Sequence, residues 1–513
     1  MACDLRYRGG FMSTWVGAAE AEAESEAKTE PTPSPASWRD LFQPGTGVLV
    51  LGLLLLEFAT AMQYFAVAVV MPLVAHDLHA ERSYGWLLGS YGMAMIAAAP
   101  LTPGITARLG RLRTAGLASV VFVVGGALAA VSTSAVFFVL ARVFQGFGSG
   151  VLTTFGVSAV AHSIPERLRK RVYSLISAMW LLPAFLGPMY ASTVSGLLGW
   201  RWTLTLLLPL VVAGRALVVR RAAGMRWAVD AESRENRQNG ESRENGENGE
   251  SRAHTSQPPP LIRVLILITG CLLLLGGTSV KSPFGQAVAA CGLVLVALAA
   301  RRLLPLGERG PRLAVFAMLT LSLGYSGLDA MATVIARSGF GSSIAAASAV
   351  LTCDAVAWST VAFLQPKFHE RWNLSTGTAG VLGALLVAIP VATLPVLLAA
   401  HLSSGTAIPL MWVAFLVSGS GMGFIYTNLP VTAVSVRDKS TTDSFAAGLV
   451  LAESMGASLG SMIGGGLYSY GLQHGMSAWR SLAVAVAALS LSLFATAFIA
   501  VLIRRQLVAA PSL

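Results

Sequence analysis

Five ionisable side chains stand alone in long apolar stretches of this sequence: Glu57, Arg142, Asp329, Asp354 and Glu453. A charge in the interior of a bilayer is costly, so such side chains usually face a cavity or a partner. A carboxyl group in a medium of low dielectric keeps its proton to a higher pH than in water, and it can exchange that proton near neutral pH. Four carboxyl groups and one guanidinium group therefore predict a proton-exchange site, in a cavity whose negative charge favours cationic molecules.

The sequence that follows Arg142 recurs in the second half of the chain. Gly146 and Gly419 lie 273 residues apart, and their neighbours keep this spacing, with Gly148, Gly150 and Thr154 recurring as Gly421, Gly423 and Thr427. Two further pairs lie 272 and 273 residues apart, namely Glu57 with Asp329 and Gly187 with Gly460. These pairs indicate a duplicated unit. A membrane protein with two similar halves is usually a transporter, because the cleft between the halves can open to either side in turn.

The composition is that of an integral membrane protein. The 513 residues are 54% hydrophobic and only 12% charged, with a mean hydropathy of +0.66. Apolar stretches of about 20 residues, each long enough to cross a bilayer as a helix, recur along the chain. The net charge of +11 lies in the connections, which indicates membrane topology rather than nucleic-acid binding. The histidines and cysteines show no metal-site spacing, and we predict neither a metal nor a cofactor.

We predict an all-α integral membrane protein that has fourteen transmembrane helices. The predicted intervals are 46–74, 84–105, 114–132, 134–160, 173–198, 201–219, 261–279, 284–302, 313–336, 342–364, 376–400, 406–434, 442–470 and 478–503. Most arginines and lysines lie in the connections on one side, for example Arg167, Arg169, Lys170 and Arg171. Because positive charge stays in the cytoplasm, this asymmetry predicts that both termini are cytoplasmic. The protein is then a multi-pass protein of the cell inner (plasma) membrane.

The predicted helices divide into two pseudo-symmetric six-helix bundles and an inserted hairpin. The bundles cover residues 43–219 and 303–505, and a two-helix hairpin without a counterpart covers 261–302. The remaining segments are an N-terminal tail (1–42), a linker (220–260) and a short C-terminal tail (506–513). The composition of the first two cannot build a core, so we predict that both are disordered, and we predict that all three segments are cytoplasmic.

Arg142, Gln145, Gly146 and Gly148 match the pattern R-x-x-Q-G-x-G residue for residue. With this motif the chain resembles the major facilitator superfamily, in particular its fourteen-span drug:proton antiporter branch, over about residues 43–505. The resemblance implies a two-lobed helical bundle that exposes a site near the middle of the membrane to each side in turn. It also implies that Arg142 takes part in proton coupling.

Two further motifs carry the resemblance, and both depart from the family pattern. The segment with Gly104, Arg108, Gly110 and Arg111 resembles the cytoplasmic gating loop, but Ala107 replaces the usual aspartate. Gly187-Pro188 resembles the antiporter signature, although the two glycines expected after the proline are replaced by Ala191 and Ser192. A glycine–proline pair within a helix also predicts a bend. The resemblance to antiporters is therefore less close than that to the superfamily.

Depth along the helices ranks the ionisable residues. A rise of about 1.5 Å per residue brings Glu57 and Arg142 to nearly the same level, where they can form a pair. In the family's fold the first and fourth helices of each half line the cavity, which favours Glu57, Arg142 and Asp329 for proton coupling. Asp354 and Glu453 are expected on more peripheral helices or at the contact between halves. The candidate substrate-binding residues are Gln63, Tyr64, Gln145, Tyr426 and Asn428, since mixed aromatic and amide side chains suit large amphipathic molecules.

These observations favour proton-coupled export of small organic molecules, as in drug or antibiotic efflux, by alternating access. An alternative is uptake or export of a specific metabolite, and an alternative of another class is a non-transporting membrane sensor or scaffold. An enzyme is not expected, because no nucleophile–base or metal-ligand cluster occurs on any predicted span. The expected partners are a small-molecule substrate, protons and the lipid bilayer, and we predict a monomer.

Overall fold

The computed structural model describes residues 47–163, 166–218, 261–305, 307, 309–434 and 442–509. Within these ranges the regular secondary structure is helical. The predicted tail 1–42 and linker 220–260 lie outside the described residues, as does the end of the predicted C-terminal tail.

The helices before the linker are α1 (Gly47–Asp77), α2 (Tyr84–Ala98), α3 (Thr102–Leu109), α4 (Arg111–Ala130), α5 (Ala135–Ser163), α6 (Glu166–Leu197), α7 (Trp200–Thr205) and α8 (208–218). Those after it are α9 (Leu261–Thr278), α10 (Pro283–Leu303), α11 (Arg309–Val334), α12 (Ile344–Trp372), α13 (Thr376–Ala392), α14 (Leu394–Ala399), α15 (Ser404–Val434), α16 (Thr442–Gln473) and α17 (Ala478–Ala509). Each predicted interval overlaps one of these helices or two consecutive ones.

Prolines explain why some predicted intervals are broken into two helices. α2 ends at Ala98, and a 3₁₀ turn that contains Pro100 leads into α3. Likewise α13 ends just after Pro390, and α14 starts with a proline in its first turn. A proline lacks the backbone N–H that a helix interior needs, and its ring clashes with the preceding turn. A hydropathy profile reports only how apolar a segment is, so it does not detect the point at which a proline divides an apolar segment into two helices.

Ten helices within the described residues are long and apolar enough to cross a membrane, and Ile262–Thr278 is a shorter apolar helix. Large apolar side chains also point outward, as in Phe284 (75% exposed), Phe363 (81%) and Phe498 (65%). A bilayer accepts such side chains, whereas water would not. The predicted number of fourteen transmembrane helices stays a prediction.

The helices pack in long pairs. Before the linker, α1 packs along α6, and α5 packs along both α2 and α4. After it, α11 packs along α16 and α17, and α12 packs along α15. The helix contacts that join the two parts of the chain include α2 with α16, α6 with α12, α1 with α11, and α2 with α9. These contacts define the boundary between the two parts of the chain.

The duplicated glycine motif packs in the same way twice. A Cβ atom on Gly146 would collide with the backbone carbonyl of Tyr91, and one on Gly419 would collide with that of Asp354. The third glycine of each motif repeats this relation, with Gly150 on Met95 and Gly423 on Trp358. Glycine is required at these points because the helix backbones touch. Tyr91 and Asp354 thus occupy equivalent places in the two parts of the chain.

Candidate functional site

Arg142 lies in a buried polar cluster on α5. The side chain is only 5% exposed, and its guanidinium group donates a hydrogen bond of 2.5 Å to Oε1 of Gln145, one helical turn further on. It also lies over the ring of Tyr91, 4.2 Å from the ring centroid. The Tyr91 hydroxyl in turn donates to Oγ of Ser149 at 2.7 Å. The contacts of Arg142 found among the described residues are thus with uncharged side chains.

Glu57 also interacts with Tyr91. It is half-buried on α1, and it interacts electrostatically with the Tyr91 hydroxyl. The sequence allowed a pair between Glu57 and Arg142 on the ground of equal depth. The structure gives Arg142 a hydrogen bond to the amide of Gln145, which lies one turn further on along the same helical face. The pair between Glu57 and Arg142 stays a prediction.

Three acidic side chains after the linker, Asp329, Asp354 and Glu453, each interact with a tyrosine. Asp354 on α12 is 3% exposed, and its Oδ2 accepts a hydrogen bond from the hydroxyl of Tyr325 on α11. Its Oδ1 is buried and has no hydrogen-bond partner among the described residues. Asp329, one turn after Tyr325, interacts electrostatically with Asp354. The charge on either of these two carboxyl groups therefore affects the other, although they lie on different helices.

A second tyrosine–carboxylate pair lies beside the first. The Tyr426 hydroxyl on α15 donates to Oε1 of Glu453 on α16 at 2.8 Å. The indole of Trp358 stands between the two tyrosines, edge to face, with centroid distances of 6.1 Å to Tyr325 and 5.3 Å to Tyr426. One aromatic ring therefore links the two hydrogen-bonded pairs.

The first part of the chain reaches this region through α1. The Tyr64 hydroxyl interacts with the side chain of Ser326 on α11, and it interacts electrostatically with Asp329 and Glu453. We refer to these carboxyl groups and the tyrosines that interact with them as the acid group: Asp329, Asp354, Glu453, Tyr64, Tyr325 and Tyr426. Its members come from α1, α11, α12, α15 and α16. The acid group therefore crosses the boundary between the two parts of the chain.

The remaining predicted substrate-binding residues have different surroundings. Gln63 is 3% exposed, and neither atom of its amide has a hydrogen-bond partner among the described residues. Gln145 is occupied by Arg142. The Asn428 amide donates to the Phe424 carbonyl of its own helix at 2.8 Å, and Asn428 borders a small hollow between α13, α15 and α17. The structure thus brings Tyr64 and Tyr426 to the acid group, and it does not bring Gln145 or Asn428 there.

The residues of the two other motifs lie apart from the acid group's hydrogen bonds. Gly104 and the exposed Arg108 are on α3, and Gly110 has a positive φ of 77° that ends the helix. The backbone of Arg111 starts α4. Gly187 and Pro188 lie within α6, which continues through both. A Cβ atom on Gly187 would lie 2.7 Å from the Cβ atom of Phe65, so this glycine permits close packing of α6 on α1.

Tyr91, Tyr325 and Trp358 were not identified from the sequence. Tyr325 precedes Asp329 by one helical turn, and Trp358 follows Asp354 by one turn. Residues four apart share a helix face, so this spacing is the signal that could have found them. In the described part of the chain no cluster of three or more histidine, cysteine, aspartate or glutamate side chains could hold a metal ion.

The comparisons with known proteins agree with this architecture. The family model of the Major Facilitator Superfamily matches residues 53–452. The multidrug efflux pump SdrM of Staphylococcus aureus (strain N315) is 23% identical over 439 residues, which cover 84% of this chain and 91% of that protein. Multidrug resistance protein 3 of Bacillus subtilis (strain 168) is 25% identical over 178 residues, only 35% of either chain.

Solved structures show the same fold at low sequence identity. The POT family transporter PepTSo has a TM-score of 0.61 at 13% identity, with 89% of this chain and 98% of that one covered. A bacterial homologue of the human lysosomal transporter Spinster, in an inward-facing and occupied conformation, has a TM-score of 0.59 at 15% identity, with coverages of 92% and 100%.

Proposed function

We propose that this chain, which belongs to the Major Facilitator Superfamily, exports small organic molecules from the cell in exchange for protons. Membership makes it a multi-pass membrane transporter and not an enzyme. One observation carries the proposal: the acid group lies where the two parts of the chain meet. Proton binding there would change the charge at the boundary across which the halves must move.

The acid group can couple protonation to movement because its contacts come from both sides of the boundary. Tyr64 on α1 interacts with the side chain of Ser326, one turn before Asp329 on α11. When the halves move, Tyr64 leaves or approaches Asp329, and the environment of that carboxyl group changes. The affinity of the carboxyl group for a proton then depends on the conformation, which is the linkage that a proton-driven carrier needs.

The tyrosine–carboxylate pairs supply a second means of coupling. An ionised Asp354 can only accept hydrogen bonds, and it accepts one from Tyr325. A protonated Asp354 also becomes a donor, so its free Oδ1 side would seek a new acceptor. Asp329 and Asp354 interact electrostatically, and mutual repulsion of two carboxylates favours a state with one proton between them. We therefore assign proton coupling to Asp329 and Asp354 first, with Glu453, Glu57 and Arg142 modulating them.

The chemistry of the acid group favours organic cations as substrates. Ionised carboxyl groups attract positive charge, and aromatic faces such as those of Trp358, Tyr426 and Tyr64 stabilise it further. Gln63 adds a buried amide whose donors and acceptor have no hydrogen-bond partner among the described residues. The relatives that are named as a multidrug efflux pump and as a multidrug resistance protein are consistent with such substrates. We propose Gln63, Tyr64 and Tyr426 as substrate contacts, and we propose antibiotics among the substrates.

We further propose the complete architecture: two six-helix bundles over 43–219 and 303–505, an inserted hairpin over 261–302, and fourteen spans in all. The matched packing of Gly146 and Gly419 supports two equivalent bundles. Positive charge in the connections supports cytoplasmic termini in the plasma membrane. Within this architecture Gly104, Arg108, Gly110 and Arg111 form a cytoplasmic gating connection, Gly187-Pro188 is a point of flexure, and the working unit is a monomer.

The test uses purified protein in liposomes with an imposed pH gradient. Internal pH is followed while lipophilic cations and antibiotics are added to wild type, Asp329→Asn, Asp354→Asn, Glu453→Gln and Glu57→Gln. Glu370→Gln, at an exposed site near the end of α12, is the matched control. We expect substrate-dependent proton flux in wild type and in the control, and at least a tenfold loss in Asp329→Asn and Asp354→Asn.

The alternatives give different results in the same experiment. Full flux in all four carboxyl variants would refute proton coupling through the acid group. Substrate movement without proton flux would indicate a carrier that uses another driving force. No movement of any compound would favour a narrow metabolite carrier or a sensor.

A further inference from the structure

The contact between α2 and α16 is a tight seam between the two parts of the chain. Three glycines of α2, spaced along one face, lie against α16: Gly85 on Gly466, Gly89 on Met462 and Gly92 on Ser458. A Cβ atom on Gly85 would lie only 2.8 Å from the Cα atom of Gly466. The backbone N–H of Gly85 also donates to Oγ of Ser469 at 3.1 Å. These backbones touch, so the seam is closed in this structure.

The hairpin formed by α9 and α10 lies over this seam, and it is attached to α16 at two points. On α9, the Cβ atom of Thr278 lies 3.6 Å from the position of a Cβ atom on Gly466. At the start of α10, the amide of Gln286 donates to the Tyr470 hydroxyl at 2.5 Å. The chain then leads from the hairpin into α11, and Pro305 in this connection packs on Gly448 of α16. The hairpin therefore belongs mechanically with α16.

On the other side of the seam the hairpin is bonded to α2. The indole N–H of Trp86 donates to Oγ of Ser279 at 2.9 Å. The Ser279 hydroxyl donates in turn to the Leu275 carbonyl at 2.9 Å, which directs its lone pairs toward Trp86. The side chain of Leu275 also reaches the seam, 3.4 Å from the position of a Cβ atom on Gly89.

We propose that the hairpin is a latch: it moves with α16 and holds α2 through the hydrogen bond between Trp86 and Ser279, which stabilises the state in which the seam is closed. If α2 and α16 separate while the hairpin stays with α16, this bond must break, together with the contact between Leu275 and α2. The latch would thus set how often this end of the transporter opens. It needs no assumption about the substrate or the driving ion.

A double-mutant cycle on the latch bond tests the proposal. The full chain, with its four native cysteines replaced by alanine, carries the reporter Ser469→Cys in the seam. In lipid nanodiscs we would measure the rate of reaction of this thiol with a polar maleimide for Trp86→Phe, Ser279→Ala and both together. Interhelical hydrogen bonds in membranes are worth about 0.6 kcal/mol, which is about a threefold change in population. Trp202→Phe, on a tryptophan that is 51% exposed, is the control.

We expect each single variant to raise the labelling rate about threefold, and the double variant to raise it no further, because both changes remove the same bond. Trp202→Phe should leave the rate unchanged. An unchanged rate in Trp86→Phe would overturn the proposal. So would additive effects in the double variant, or an equal increase in the control, since both would indicate general loosening.

A cross-link tests whether the hairpin moves with α16. The distance of 3.6 Å between Thr278 and Gly466 positions suits a disulfide, so Thr278→Cys with Gly466→Cys joins hairpin and α16 covalently. Oxidation of this pair should leave the Ser469→Cys labelling rate unchanged, and Trp86→Phe should still raise it about threefold. A fall in labelling on oxidation, reversed by reductant, would show that the hairpin must leave α16 when the seam opens, and it would overturn the latch.

Discussion

Each of two buried carboxyl groups in this transporter is held by the hydroxyl of a tyrosine, and the two pairs differ in their access to other partners. Asp354 is 3% exposed and accepts a bond from Tyr325, whereas Glu453, held by Tyr426, is only half-buried. A carboxyl group that is fully enclosed cannot replace a lost hydrogen bond with one to water. The same substitution should therefore have different consequences at the two tyrosines.

Tyr325→Phe should destabilise the protein by about 1–3 kcal/mol, because it leaves both oxygens of a buried carboxyl group unsatisfied. Tyr426→Phe should cost about 1 kcal/mol or less, because Glu453 can find another partner. The measurement is the thermal unfolding midpoint of each purified variant in the same detergent. Equal midpoints would mean that the hydrogen bond of Tyr325 contributes no more to stability than that of Tyr426.

A substitution at Gln63 should affect substrate binding and protein stability in opposite directions. Its amide is buried and has no hydrogen-bond partner among the described residues, so Gln63→Leu should stabilise the protein by about 1 kcal/mol while it lowers transport of a cationic substrate. Gln145→Leu is the matched comparison, since it removes the partner of Arg142 and should destabilise by about 1.5–3 kcal/mol. Thermal midpoints and transport rates are measured together. A loss of stability in Gln63→Leu would contradict a role in contacting substrate.

At the scale of elements, the repeated glycines set how closely the helices pack. Gly146 and Gly419 bear on the backbone carbonyls of Tyr91 and Asp354, so each brings a polar residue of the neighbouring helix toward the interior. A larger residue at either glycine would push that neighbour outward. The spacing between helices is therefore part of the geometry of the candidate site.

Alanine substitutions test this packing. Gly146→Ala and Gly419→Ala should each destabilise by about 1–3 kcal/mol, because the added methyl group forces the helix backbones apart. Gly196→Ala and Gly380→Ala are controls at helical glycines with no atom within 4 Å of an added Cβ, and they should be neutral or stabilising, since alanine is the better helix former. Thermal unfolding in detergent distinguishes the two pairs. Similar midpoints for all four variants would contradict close packing at the repeated motif.

The sequence allowed prediction of the helical class, of the helix intervals and of most of the ionisable residues, because hydropathy and isolated charges are local signals. It did not allow prediction of which side chains meet. Tyr91 and Asp354 have equivalent contacts in the structure but lie 263 residues apart, ten fewer than the glycines that touch them. Because the connections between helices differ in length in the two halves, the spacing along the sequence does not reveal this relation. The hydrogen bond between Arg142 and Gln145 was likewise not predicted, although the two residues lie one turn apart on the same helix.

For the molecule as a whole, the closed seam and the acid group lie along the same boundary between the halves. The seam begins at Gly85, next to the start of α2, and Tyr64 of α1 meets α11 further along that boundary. With cytoplasmic termini, as proposed, α1 ends outside the cell, so the seam closes the outer end. The acid group could then exchange protons and substrate only with the cytoplasm until α2 and α16 part.

Covalent closure of the seam should therefore stop transport. The Cβ atom of Met462 lies 3.3 Å from the position of a Cβ atom on Gly89, close to the spacing that a disulfide needs. In the cysteine-free background, Gly89→Cys with Met462→Cys should lose transport at least tenfold on oxidation and regain it on reduction, because alternating access requires this end to open. Thr278→Cys with Gly466→Cys joins the hairpin to α16 without crossing the seam and should stay active when oxidised. Full activity of the oxidised Gly89–Met462 pair would show that the halves do not separate at the seam during transport.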